Sequence, residues 1–184
     1  MQNKGFFIIG TDTNVGKTTI AVNLLSFLKA NGYSTIGLKP ISSGAQPTKA
    51  GLRNSDAIAL QKAASIYLPY EQVNPFCFSL ATAPHIAAEQ QECQLSLAKI
   101  MQSIHPFLNY EADYRVIEGL GGAAVPLNKT ETMIDLLQAL NLPVILVVGL
   151  RLGCLNHALL TYEILRKRNI PIAACICNQI DPDM

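Results

Sequence analysis

Apolar positions recur along this chain with two periods, and the alternation between them sets out the elements. Phe6-Phe7-Ile8-Ile9 is a continuous apolar run, and residues 5–9 read as a buried strand. Ile20, Leu24, Leu25 and Leu28 then fall at helical spacing, and Asn31-Gly32 is a natural stop for that helix. Residues 35–39 form a second strand, ended by Pro40 and a polar loop of Ser, Gly and Thr. Residues 55–66 and 96–108 read as helices, whereas 68–84 carry three prolines and read as irregular. Three more strands are predicted at 114–118, 143–149 and 171–178, with an amphipathic helix over 155–168 between the last two. Strands that alternate with helices predict an α/β fold, a parallel sheet with helices on both faces. In such sheets ligands bind beyond the carboxyl ends of the strands. The residues to inspect are therefore 11–18, 39–44, 118–122, 151–156 and 178.

Composition narrows the class. A length of 184 residues suits one domain, and 49% hydrophobic against 15% charged residues is a globular balance rather than a disordered one. A formal net charge of +1 gives no electrostatic case for nucleic acid or an anionic membrane, so neither is expected as a partner. Mean hydropathy is positive, yet the longest apolar stretch, 142–150, is interrupted by Pro143 and Gly149 and falls short of the roughly 20 residues of a spanning helix. The apolar run at 6–9 is too short for a secretory segment, which makes a cytoplasmic address the expectation. Cys77, Cys93, Cys154, Cys175 and Cys177 contain no CxxC pair and read as reduced thiols. Cys175 and Cys177 share one face of the last strand and are expected to pack in a core.

The chemistry concentrates at the strand ends. Gly10 to Thr19 reads GTDTNVGKTT. A strict phosphate loop is glycine, four residues, then Gly-Lys-Ser/Thr. Gly16-Lys17-Thr18 satisfies the second half, but Thr11 stands where the first glycine belongs and Gly10 comes one residue early, so this is a variant loop. Lys17 and Thr18 open a helix, where free N–H groups and the helix dipole favour a polyanion. Lys39 ends the second strand and reads either as a functional cation or as a solvated surface group. Glu118 precedes Gly119, Gly121 and Gly122; it suits a Mg²⁺ partner, or else an ion pair beside a tight turn. Asp56 suits the same ion, or else belongs with Asn54-Ser55 in a helix cap. Taken together they place lysines, a hydroxyl and two carboxylates at one edge of one sheet.

With these residues in place, the chain resembles the dethiobiotin synthetase family over almost its whole length, through GTDTNVGKT, LKPISSG, GLRNSDA, VNPFCF, APHIAA, VIEGLGG, VPL, PVILVVGLRLGCLNHALLT and CNQI. The resemblance implies a P-loop NTPase-like fold and a ligase that uses ATP and Mg²⁺ to carboxylate 7,8-diaminononanoate with CO₂ and close the cyclic urea, through a carbamate and a carbamic–phosphoric anhydride. It implies Lys17 and Lys39 as catalytic lysines and Thr18, Asp56 and Glu118 as Mg²⁺ ligands. Nucleotide contacts fall on Asn14, Val15, Gly16, Lys17, Thr18, Thr19, Asp56, Glu118, Gly119, Leu120, Gly121 and Asn178, with Asn178 reading the adenine edge. Thr13 and Ser43 match positions that hold the diamine or carbamate end. The distal carboxylate would be held by Gly153, Cys154 and Asn156 of a neighbouring subunit, which implies a homodimer. His85 and His157 read as structural.

Two departures stand out. Family members run on for several tens of residues past Asn178, so residues 1–184 are expected to form a single P-loop-type α/β domain lacking that segment, with weak and base-indifferent nucleotide binding. Leu120 also replaces the alanine common in the family's E-G-A-G-G turn. The rival readings are a non-catalytic, weakly nucleotide-binding truncated relative and a partitioning-type switch ATPase of similar fold. The second should carry an extra lysine early in the phosphate loop, and residues 11–15 contain none.

Overall fold

The computed structural model describes residues 4–181. The chain passes from β1 (Gly5–Gly10) through α1 (Lys17–Ala30) to β2 (Thr35–Leu38), then through β3 (Ile41–Ser42) and the antiparallel pair β4 (Gln46–Thr48) and β5 (Gly51–Arg53) to α2 (Ser55–Ala63). A single turn, α3 (Tyr70–Val73), precedes β6 (Phe76–Cys77), α4 (Pro84–Gln90) and α5 (Leu97–Leu108). β7 (Tyr114–Gly122), α6 (Met133–Leu140), β8 (Val144–Leu150), α7 (Cys154–Lys167) and β9 (Ile172–Gln179) follow.

Five strands pair in parallel in the order β2-β7-β1-β8-β9. Alternation along each strand divides the apolar residues between two cores. Ile8, Val116, Ile145 and Val147 turn to one face, where Leu25 and Leu28 of α1 and Leu60 of α2 cover them. Phe7, Ile9, Ile117, Leu146 and Val148 turn to the other, packed with Ile100 and Ile104 of α5, Leu136 of α6 and Leu165 of α7. Each such side chain contributes about 1.5–3 kcal/mol by leaving water, so the central strands are held from both sides. The expected α/β sheet with helices on both faces is thus the observed one.

Helix starts follow the polar residues that precede them. Asn54 accepts from the N–H groups of Asp56 and Ala57 at the start of α2, and Ser96 accepts from that of Lys99 in α5. At α6 the Asp135 carboxylate accepts from both the backbone N–H and the hydroxyl of Thr132. At the other end of α5, the buried Arg115 guanidinium donates to the carbonyl of Phe107 in its last turn and to those of Tyr110 and Ala112 in the loop that follows.

Several expectations need correcting. β7 runs on to Gly122, so the glycines after Glu118 extend a strand rather than make a tight turn. Gly119 is small because an added Cβ would lie 2.7 Å from the Phe7 ring. The stretch read as irregular contains α3 and β6, and periodicity alone assigned no element to α4, α6 or the β4–β5 pair. Cys175 and Cys177 are exposed, not packed in a core. Register places them on the face of Leu146 and Val148, but β9 is the edge strand. Among the described residues, α7 packs on β8 and stops short of covering these two thiols.

Candidate functional site at the carboxyl edge of the sheet

The strand order creates the site. β1 lies between β7 and β8, with the chain passing to β2 and β7 on one side before crossing to β8 and β9 on the other. This is the switch point at which a crevice opens beyond the strand ends. The segment after β1 is anchored there by Thr11 N–H, which donates to the carbonyl of Val147 at 3.0 Å. Asn14 and Gly16 take left-handed φ values of 58° and 94°. At Gly16 a side chain would be strained by this φ and its Cβ, 2.2 Å from Nδ2 of Asn178, would push that amide off the loop. α1 therefore starts without a side-chain cap and with no acidic residue in its first turn. Its free N–H groups are left for an anion.

Thr13, Asn14, Gly16, Lys17, Thr18 and Thr19 line a cavity of ≈ 280 Å³ together with Lys39, Asp56, Glu118, Leu120 and Gly121. Lys39 is 2% exposed and Glu118 1%, which removes the reading of Lys39 as a solvated surface group. Lys39 Nζ donates to Glu118 Oε1 at 2.6 Å and lies 3.4 Å from Asp56 Oδ2. Thr18 Oγ1 donates to the same Glu118 oxygen at 2.8 Å. Asp56 is free for this because Asn54, not Asp56, caps α2. The backbone of Lys39 is itself pinned: its N–H donates to Val73 O at 2.9 Å, and its carbonyl accepts from buried Asn74 Nδ2 at 2.6 Å. Lys17 Nζ donates to the carbonyl of Asp12 at 2.7 Å. Burial first, then the nearby Lys39 charge, lowers the Lys17 pKa from 10.5 to about 8, against the opposing pull of Glu118, Asp12 and Asp56.

Other sequence-predicted residues lie nearby or apart. Val15 is buried in the core beneath the loop, and its carbonyl accepts from Asn178 Nδ2 at 3.0 Å. Asn178 thus braces the phosphate loop in addition to any contact with a base. Ser43 is outside the cavity lining, and its carbonyl accepts from Asn54 Nδ2 at 3.4 Å. Gly119 lies in the sheet behind the cavity. Gly153, Cys154 and Asn156 form the start of α7 and do not line the cavity of their own chain. His85 has a buried Nδ1 without a partner among the described residues. The pair that sequence reasoning missed is Asp12 and Arg151. Asp12 accepts from Thr13 N–H and from Arg151, so the first residues of the loop are tied to the end of β8. Opposite charges at two adjacent strand ends were the available signal.

The donor set fits a nucleotide-bound Mg²⁺. Thr18, Asp56 and Glu118 are hard oxygen donors, and Glu118 Oε2 is buried without a hydrogen-bond partner among the described residues. No cluster of three His, Cys, Asp or Glu side chains suited to a metal forms among the described residues. Beside the cavity, Thr11, Asp12, Gly122 and Val125 border a groove of ≈ 1000 Å³ whose far wall is the second half of α7.

Comparisons with known proteins bear on family and fold. A protein-family model described as an AAA domain matches residues 4–183. The ATP-dependent dethiobiotin synthetase BioD of Cellvibrio japonicus (strain Ueda107) is 49% identical over 184 residues, 100% of this chain and 80% of that protein. The protein of the same name from Pseudomonas aeruginosa (strain UCBPP-PA14) is 48% identical over 96% of this chain and 78% of its own length. That from Yersinia pestis bv. Antiqua (strain Angola) is 47% identical over 98% and 75%. Among solved structures, the kinase domain of Escherichia coli tyrosine kinase ETK superposes with a TM-score of 0.57 at 10% identity, covering 100% of this chain and 71% of that one. A ParA family ATPase from Chlorobium tepidum TLS gives 0.54 at 13% identity, covering 95% and 72%. At such identities these two likenesses speak for the fold alone.

Proposed function

The chain belongs to the ATP-dependent dethiobiotin synthetase family, and on that premise we propose how its strand-end residues divide the work of converting 7,8-diaminononanoate, CO₂ and ATP into dethiobiotin, ADP and phosphate. The observation that carries the assignment is the convergence of Lys17, Thr18, Lys39, Asp56 and Glu118 on one cavity. One amine of the diamine takes up CO₂ and releases a proton, giving a carbamate. A carbamate oxygen then attacks the γ-phosphorus, the bond to ADP breaks, and a carbamic–phosphoric anhydride forms. The second amine attacks the carbonyl carbon, loses its proton and expels phosphate, leaving the cyclic urea.

Two anions must approach each other in the phosphoryl transfer, so fixed positive charge is the main requirement. Lys17 and Lys39, both lining the cavity, supply it. The loop N–H groups of residues 14–19 and Gly121 hold the phosphates, with Leu120 shaping the wall beside them. Thr18, Asp56 and Glu118 would hold Mg²⁺, which supplies charge neutralisation at the phosphate oxygens. Thr13, and Ser43 from the segment after β3, are assigned to the diamine or carbamate end. The ≈ 1000 Å³ groove beside Thr11 and Asp12 has room for the alkyl body of the diamine. Asn178 is assigned to the adenine edge as well as to the loop.

The far carboxylate is assigned to Gly153, Cys154 and Asn156 of a second copy, because these residues do not line the cavity of their own chain. A homodimer is further supported by α7, which leaves Leu155 77% and Leu159 64% exposed, beside Leu152 at 92%. We read residues 1–184 as one P-loop-type α/β domain acting on small molecules. Near-neutral charge speaks against nucleic acid and membrane partners. Among the described residues no helix is long and apolar enough to cross a membrane, which accords with the cytoplasmic address we propose. The test is a coupled assay: ADP and phosphate should form only when diamine and CO₂ are both supplied. Fast ATP hydrolysis without diamine would overturn the assignment.

A further inference from the structure

Each side chain assigned to the metal already has one oxygen tied to Lys39 or to its Glu118 partner, and of their oxygens Glu118 Oε2 alone is buried without a partner among the described residues. Lys39 Nζ sits 2.6 Å from Glu118 Oε1 and 3.4 Å from Asp56 Oδ2, and Thr18 Oγ1 donates to the same Glu118 oxygen. An ammonium and a divalent ion cannot both rest on this carboxylate pair without strong repulsion, since unlike an exposed lysine this one is buried and poorly screened. We propose that Lys39 is an internal counter-ion that keeps divalent cations off Asp56 and Glu118 until the phosphates of a nucleotide offer its ammonium another anion, so that metal and nucleotide load together. The same movement would deliver Lys39 to the phosphoryl group it serves. The inference rests on the reading of Thr18, Asp56 and Glu118 as metal ligands.

Lys17 provides the control. It lines the same cavity and carries the same charge, but its ammonium contacts the Asp12 carbonyl and neither metal carboxylate. Mn²⁺ is titrated into nucleotide-free protein, and free Mn²⁺ is read from its electron paramagnetic resonance signal. The unaltered chain should bind Mn²⁺ weakly. Lys39→Met should bind it about tenfold tighter or more, and Lys17→Met should change affinity far less. Where Lys39→Met does not fold, Lys39→Gln keeps an N–H donor for Glu118 and takes its place in the same comparison. Equal tightening by the Lys39 and Lys17 variants would reduce the effect to general charge, and no tightening would remove it; either overturns the proposal. Asp56→Asn separates this from the ligand assignment. If it weakens Mn²⁺ binding with ATP while Lys39→Met tightens nothing, the counter-ion role alone fails. If it leaves Mn²⁺ binding unchanged both with ATP and in the Lys39→Met background, the ligand assignment fails too.

Discussion

Lys17 is held where its own charge is disfavoured. Burial and the nearby Lys39 lower its pKa to about 8, whereas in the unfolded chain it titrates near 10.5. Between these values the unfolded state binds more protons, so this group makes stability rise with pH across the window, and the full penalty of charging it is present below about 8. Lys17→Met should therefore stabilise the nucleotide-free protein at neutral pH and lose that advantage toward pH 10.5, as read from urea midpoints. A triphosphate reverses the balance, because it raises the pKa of any ammonium it contacts. ATP binding at about pH 9 should then take up protons, measured calorimetrically as a dependence of heat on buffer ionisation enthalpy. Absence of uptake, or uptake that survives in Lys17→Met, would place the phosphates away from this lysine. These residues could be read in the sequence because each strand end is marked by an abrupt change from apolar to charged. Asp12 and Arg151 could not be ranked the same way, since each taken alone looks like an ordinary exposed charge.

Elements with long periodic faces were legible: β1, α1, β2, β7, β8 and α7 lie within a few residues of where the apolar pattern puts them. The short α6 carries a weaker signal, eight residues long, and its clearest mark is Thr132 with Asp135 three positions later. That box deserves a measurement of its own. Backbone and hydroxyl donation from Thr132, with Arg168 at 3.8 Å, depresses the pKa of Asp135, the backbone bond most strongly. Because the folded value is lowered, the stabilisation is present above the ordinary carboxylate range and is lost as pH falls through the depressed value. Asp135→Ala should cost about 1 kcal/mol at neutral pH and almost nothing in strong acid. Denaturant melts of both proteins at the two pH values decide it, and a pH-independent difference would assign the effect to packing instead. For β9 the pattern misleads in the opposite direction. Its apolar composition, IAACIC, reads as a buried strand, but burial also depends on lying inside the sheet order, which is a property of topology that no single strand encodes.

At the scale of the whole molecule, the described residues leave an apolar display on and before α7. Leu152, Leu155, Leu159, Leu160 and Tyr162 are all exposed along one helix and the turn before it, a larger apolar display than scattered surface residues require. Gly153 caps that helix and Asn156 lies in its first turn, so an interface built there would carry the start of α7 toward a second copy. Most oligomers of this kind are two-fold and isologous, which places two equal sites in each dimer. If each site joins Lys39 of one chain to Asn156 of the other, Lys39→Ala and Asn156→Ala proteins are each inactive or nearly so. In a dimer of one chain of each kind, one site collects both defects and the other collects none. Random reassociation of an equal mixture makes about half of the dimers mixed, and half of their sites intact, so about a quarter of the unaltered activity should return. Leu155→Glu together with Leu159→Glu, placed in both chains, should give a monomer by sedimentation and abolish that recovery. Full activity in the monomeric variant would mean that each chain completes its own site, and the lending of α7 would be refuted.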